Sequence, residues 1–127
     1  MNPDEGLRCP VCREGLRLQQ QPGRPDRLGC DAGHAFDAAK QGYFNLLAGK
    51  GTNFKEDGAQ MVAARASFLD AGHYESLAEA LGLRARKALR GYEEPRILDA
   101  GAGTGYYLRQ VLQALPGFSS ASAVALD

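Results

Sequence analysis

The sequence predicts an α/β chain whose first third is a small, loop-rich unit of short strands. Two observations predict it. Residues 7–47 hold all three cysteines, one of the two histidines and many turn residues, among them Gly15, Pro22, Gly23, Pro25, Gly29 and Gly33. From Ala59 onward the apolar spacing becomes helical, and the last third reads as strand, glycine-rich turn, helix, strand.

Each element follows from local pattern. In the first unit, stretches such as Leu16-Arg17-Leu18 alternate with period two, so short strands are expected rather than helices. Gly49-Lys50-Gly51-Thr52-Asn53-Phe54-Lys55-Glu56-Asp57-Gly58 is polar and reads as a linker or mobile loop. Met61, Val62, Arg65, Phe68 and Leu69 recur at i, i+3 and i+4, which predicts a helix with Asp57 as its N-cap and Gly72 as its stop. A second helix is predicted from about Glu75 to Arg90, with Leu77, Leu81, Leu83 and Leu89 as its apolar positions and Gly91 and Pro95 closing it. Arg96–Ala100 is then a strand, Gly101–Gly105 a turn, Tyr106–Leu115 a helix and Ser122–Asp127 a second strand. The expected domains are 1–47 for the cysteine-bearing unit, 48–95 for the linker and helices, and 96–127 for the first strand-helix-strand of an incomplete α/β domain.

Composition excludes several classes. The chain has 127 residues, 44% hydrophobic and 24% charged, which argues against wholesale disorder. Fifteen basic residues balance fifteen acidic ones, so there is no strongly basic coat and no acidic tail. The basic side is mostly arginine, eleven Arg to four Lys, and arginine suits phosphate and base contacts better than lysine. No apolar run is long enough for a membrane span. The acidic start Met1-Asn2-Pro3-Asp4-Glu5-Gly6 is not expected to be a signal peptide. With three cysteines that cannot pair completely, a reducing cytoplasm is the expected location.

The cysteines carry the first chemical signal. Cys9-Pro10-Val11-Cys12 is followed, after a 17-residue spacer, by Cys30-Asp31-Ala32-Gly33-His34. Short turns of this kind let each pair present both donors to one metal, and three thiolates with one imidazole make a closed tetrahedral zinc set. Gly15 and Gly33 are expected where the ligand-bearing turns need residues without a Cβ penalty. Four protein ligands leave no open position, so the zinc is read as structural, stapling a zinc ribbon too poor in apolar residues to fold alone. Arg8, Arg13, Arg17, Arg24 and Arg27 flank this segment with Glu14 and Asp26 as offsets, which leaves a local positive excess that reads either as a solvated surface or as an RNA-facing patch.

Ile97-Leu98-Asp99-Ala100-Gly101-Ala102-Gly103-Thr104-Gly105 carries the second signal. It is G-x-G-x-G between a strand and a helix, and not the dinucleotide pattern, because Tyr106 follows. Such a turn lets a ligand approach the backbone, while the helix N-terminus favours a carboxylate. Asp127, ending the next strand, could accept hydrogen bonds from both hydroxyls of a ribose. A carboxylate, an ammonium, a ribose and no phosphate describe S-adenosylmethionine, and a Rossmann-like fold that binds it is expected. Tyr106 and Tyr107 are expected in core or rim packing, and His73 in a structural or linker role.

Beyond these two signals, Lys40-Gln41-Gly42-Tyr43-Phe44-Asn45-Leu46-Leu47 and Ala64-Arg65…Phe68-Leu69-Asp70-Ala71-Gly72-His73-Tyr74 occur in order between them. Taken together, the chain strongly resembles the amino-terminal part of the RlmA-type 23S rRNA guanine-N1 methyltransferases, a group that includes tylosin-resistance methyltransferases. The likeness runs from Leu7 to Asp127. It implies zinc ligands Cys9, Cys12, Cys30 and His34, and a zinc domain that helps recognise an rRNA hairpin. It implies methyl-donor contacts from Tyr74, Gly103 and Thr104, to which the general methyltransferase pattern adds Asp99, Gly101 and Asp127. The implied activity is S-adenosylmethionine-dependent methylation of N1 of a guanine in a 23S rRNA hairpin. The family's sheet has more strands than the two read here, so the chain is expected to be an amino-terminal fragment, truncated after the second strand and inactive alone. Its catalytic proton acceptor is unknown. The alternative is a non-enzymatic zinc-ribbon RNA-binding module; the oligomeric state stays open, a homodimer among the options.

Overall fold

A computed structural model describes residues 6–49, 57–115 and 121–127. The acidic start and most of the polar linker, from Lys50 to Glu56, lie outside the described residues. The chain divides into two units, Asn2–Phe54 and Lys55–Asp127.

In the first unit, β1 (Arg17–Gln19), β2 (Arg27–Gly29) and β3 (Ala35–Asp37) form an antiparallel sheet in that order. The register places Leu18 opposite Leu28 and Leu28 opposite Phe36, so the alternating pattern produces one apolar row across three strands. Among the described residues the buried core is Cys9, Leu16 and Leu28, with Leu7, Cys12, Cys30, Phe36, Phe44 and Leu46 packed around it. On the neighbouring row Arg27 sits opposite Asp37, and its Nε donates to Oδ1 at 2.6 Å. That hydrogen bond from Arg27 holds the Asp37 carboxyl below its ordinary pKa. The pair therefore stabilises the sheet at neutral pH, and its contribution disappears as acid protonates Asp37 through that lowered value.

The second unit begins with α1 (Ala59–Asp70) and α2 (Glu75–Ala88). Asp57 does not cap α1. Gly58 is the N-cap, with no side-chain hydrogen bond, and Asp57 instead pairs with Arg65 at 3.1 Å. Gly72, at φ 86, does stop the helix. The predicted stripe forms on a helix with no buried residue: Met61, Val62 and Phe68 are exposed.

β4 (Arg96–Ala100) and β5 (Ser122–Leu126) pair in parallel, joined through α3 (Tyr106–Gln113). This is the strand-helix-strand order read from the sequence. Helix α2 packs on α3, and its buried residues are not the predicted leucines. Leu77, Leu81 and Leu83 are exposed, while Ala78 and Gly82 are buried. Small residues four apart let the two helices approach closely. A Cβ on Gly82 would lie 2.7 Å from the Cβ of Ala114, which is fixed to the backbone at the end of α3. Gly82→Ala should therefore destabilise the unit. Overpacking costs about 1–3 kcal/mol, against a helix-propensity gain of about 1 kcal/mol. A lower urea midpoint with unchanged slope is the expected result; a raised midpoint would show that α3 yields without cost.

Candidate functional site

The metal site is built by two backbone-closed turns. In the first, Cys9 N–H donates to Glu14 O at 2.8 Å, Arg13 N–H to Cys9 O at 2.8 Å, and Leu16 N–H to Leu7 O at 3.0 Å. In the second, Cys30 N–H donates to His34 O and Gly33 N–H to Cys30 O, both at 3.0 Å, with Gly33 at φ 86. These turns bring the donor atoms of Cys9, Cys12, Cys30 and His34 within 4.8 Å of one another. Cys12 Sγ lies 3.6 Å from Cys30 Sγ, and Cys30 Sγ lies 3.5 Å from His34 Nδ1. Zn–S bonds near 2.3 Å and Zn–N bonds near 2.05 Å set tetrahedral edges of about 3.8 Å and about 3.5 Å. The donor set and its spacing both fit zinc.

Gly15 is not one of the left-handed positions of these turns. It forms a β-bridge with Arg8, and the left-handed residue of the first turn is Arg13 at φ 64. The chain must reverse directly after Cys12 for the Arg13 amide to reach Cys9 O, so the reversal is complete before Gly15. Among the described residues Arg13 is the only non-glycine at positive φ, a conformation that costs a side-chain-bearing residue about 1–2 kcal/mol.

The thiols are tuned unequally. Burial raises the Cys9 pKa, but hydrogen bonds from the Cys12 and Val11 amides and from the other two thiols outweigh it, and the net shift is down. At Cys12 the Glu14 amide lowers the value, while burial and the neighbouring sulfurs of Cys9 and Cys30 raise it to a net shift up. Three sulfurs this close resist ionising together, a repulsion that a cation among them removes.

The glycine turn is pinned to the end of β5. Gly101 N–H and Ala102 N–H both donate to Leu126 O, at 2.7 and 2.8 Å, and Gly103 N–H donates to Asp127 Oδ1 at 3.3 Å. Gly101, Gly103 and Gly105 have φ of 79, 52 and 71, and a Cβ on any of them would point into open space. The turn thus needs glycine for its backbone, and it keeps free space beside itself. Gly105 is the N-cap of α3, and Thr104 is half-buried next to it. Asp99 is half-buried at the end of β4. The structure therefore brings Gly101, Gly103, Thr104 and Asp127 to one place, beside Asp99.

Tyr74 stands on another element, as the N-cap of α2. Its ring lies 5.8 Å from Phe68, on which His73 stacks at 4.5 Å. His73 is thus a packing residue here, in line with the structural role expected of it. The end of α1 is tied to α3 through Asp70 and Arg109, 3.3 Å apart, and the Arg109 guanidinium lies 5.9 Å from the Tyr106 ring centroid. Tyr106 is buried, edge-on to Tyr107 at 5.1 Å, so core packing is its role. The sequence carries no signal for the Arg109–Asp70 pair, because a charged residue on each of two helices gives no sign of pairing until the helices meet.

Comparison with known proteins shows what the chain is similar to. The RlmA amino-terminal family, a zinc ribbon, matches residues 7–50. The likeness to RlmA-type proteins continues beyond the ribbon. The chain is 45% identical over 142 aligned positions to a Micromonospora griseorubida protein provisionally named a 23S rRNA (guanine-N(1)-)-methyltransferase, covering 100% of this chain and 46% of that protein. It is 42% identical over 121 positions to the 23S rRNA (guanine(748)-N(1))-methyltransferase of Streptomyces fradiae, covering 95% of this chain and 40% of that one. The chain thus matches the amino-terminal portion of RlmA-type methyltransferases and spans rather less than half the length of these relatives. No described helix is long and apolar enough to cross a membrane.

Proposed function

We propose that the chain supplies the zinc ribbon and the donor-binding turn of an enzyme that methylates N1 of a guanine in a 23S rRNA hairpin, in the cytoplasm. The observation that carries it is the Gly103 amide against the Asp127 carboxylate at 3.3 Å, which joins the glycine turn to an acidic strand end. This pairs a glycine turn with open space beside it and an acceptor for ribose hydroxyls, the needs of S-adenosylmethionine.

In this reading Cys9, Cys12, Cys30 and His34 hold a structural zinc that supplies folding energy to the ribbon. Gly101, Gly103 and Thr104 border the methyl donor through backbone groups, Asp99 and Asp127 lie at the strand ends beside it, and Tyr74 closes it from the α1–α2 turn. S-adenosylmethionine, when bound, supplies the methyl group as an electrophile. The work of these residues is positioning, since holding two reactants in line removes much of the barrier. The target guanine must be unpaired to expose N1, and the group that takes its proton is assigned to the part of the relatives beyond the match.

The test replaces the matching amino-terminal portion of the Streptomyces fradiae relative with this chain and titrates S-adenosylmethionine by calorimetry. Saturable one-site binding is expected. Asp127→Ala should weaken it by about 1–3 kcal/mol, the cost of losing charge-assisted hydrogen bonds. A folded, zinc-loaded chimera with no donor binding would contradict the reading.

A further inference from the structure

Arg13 stands where the backbone asks for glycine. Its φ of 64 follows directly from the hydrogen bond that closes the first turn, and the second turn of the same metal site meets the same demand with Gly33 at φ 86. One site thus uses glycine in one turn and arginine in the other. A side-chain-bearing residue held where glycine would cost less points to work done by that side chain.

The surrounding charges narrow that work. Arg17 pairs with Asp31 at 3.7 Å and Arg27 with Asp37 at 2.6 Å, so two of the ribbon's five arginines are engaged. Arg13 is exposed and forms no ion pair with a described residue, and the same holds for Arg8, which bridges to Gly15 across the turn. Glu14 is the one acidic residue within the turn, and its backbone oxygen is taken by Cys9 N–H. Pro10 and Val11 are also exposed, Val11 at 54%. Two guanidinium groups beside an exposed apolar tip match a nucleic-acid strand, which offers phosphates for the first and base or sugar faces for the second.

We propose that the first metal-binding turn is an RNA-contact surface in which Arg13 contacts a phosphate. The proposal rests on the rRNA reading above and adds to it the surface and the residue. Arg13 does not contribute to the metal site except through its backbone, which glycine would supply with less strain.

The experiment uses the full zinc-loaded chain with no methyl donor, so a failed donor site cannot affect it. A short fluorescent RNA hairpin is titrated at several salt concentrations against wild type, Arg13→Gly and Arg13→Lys. Arg13→Gly should keep its zinc and unfold no earlier than wild type, yet bind RNA severalfold more weakly, with a log–log salt slope smaller by about 1. Arg13→Lys should fall between, as a point charge without the planar fork. Equal RNA affinity and salt slope for wild type and Arg13→Gly would overturn the proposal while leaving the rRNA reading intact. Loss of zinc in Arg13→Gly would overturn it too, by making the residue structural. Absence of salt-dependent binding by wild type would overturn both.

Discussion

Removing zinc should unfold residues 7–47 while the second unit keeps its helices. The magnitudes decide this. Burying Leu16 and Leu28 contributes about 2 kcal/mol each, set against an ordering cost of about 1–2 kcal/mol for every residue fixed. A structural zinc contributes on the order of 10 kcal/mol in comparable small units. The chelated protein should lose amide protection across β1, β2 and β3, in a transition that moves to higher pH as free zinc falls, because protons compete for the sulfurs. Cys12→Ser should come close to chelation, since it removes a thiolate that lies 3.6 Å from Cys30 Sγ. Elemental analysis with hydrogen exchange checks both. Less than half an equivalent of zinc per purified chain, or full protection after chelation, would contradict the closed Cys3His site.

Gly103→Val should abolish methyl-donor binding with little loss elsewhere in the fold. The residue sits at φ 52, where a β-branched side chain is strongly disfavoured, and its Cβ would project into the free space beside the turn. The same strain moves the amide that donates to Asp127 Oδ1. Donor affinity in the chimera is expected to fall below detection by calorimetry, while the far-ultraviolet circular dichroism of α1, α2 and α3 is retained. Affinity within a factor of a few of the parent would remove the glycine turn from the site.

Local chemistry explains why so much was legible in advance. Arg96–Ala100 was readable to the residue because an apolar strand runs straight into a turn that only glycine can make. The four metal ligands were readable because thiolate and imidazole spacing is set by the ion's geometry and not by the rest of the fold. What stayed hidden depends on what lies across from a residue. The leucines of α2 look like its packing face, yet its buried residues are Ala78 and Gly82, and Gly82 lies close against Ala114 at the end of α3, where a small side chain is needed. Asp57 has the chemistry of an N-cap, but its carboxylate is taken by Arg65. Arg13 could have been found from sequence by asking which residue must reverse the chain after Cys12; the eye goes to Gly15 because glycine is the usual answer.

The most direct test of the proposed methylation is the chemistry itself. Unmodified 23S rRNA is incubated with S-adenosylmethionine and the chimera carrying this chain, and nucleosides are resolved by mass spectrometry. N1-methylguanine is expected from the parent chimera and none from its Gly103→Val variant. Unmodified guanine, with a zinc-loaded chimera that binds both donor and RNA, would contradict it.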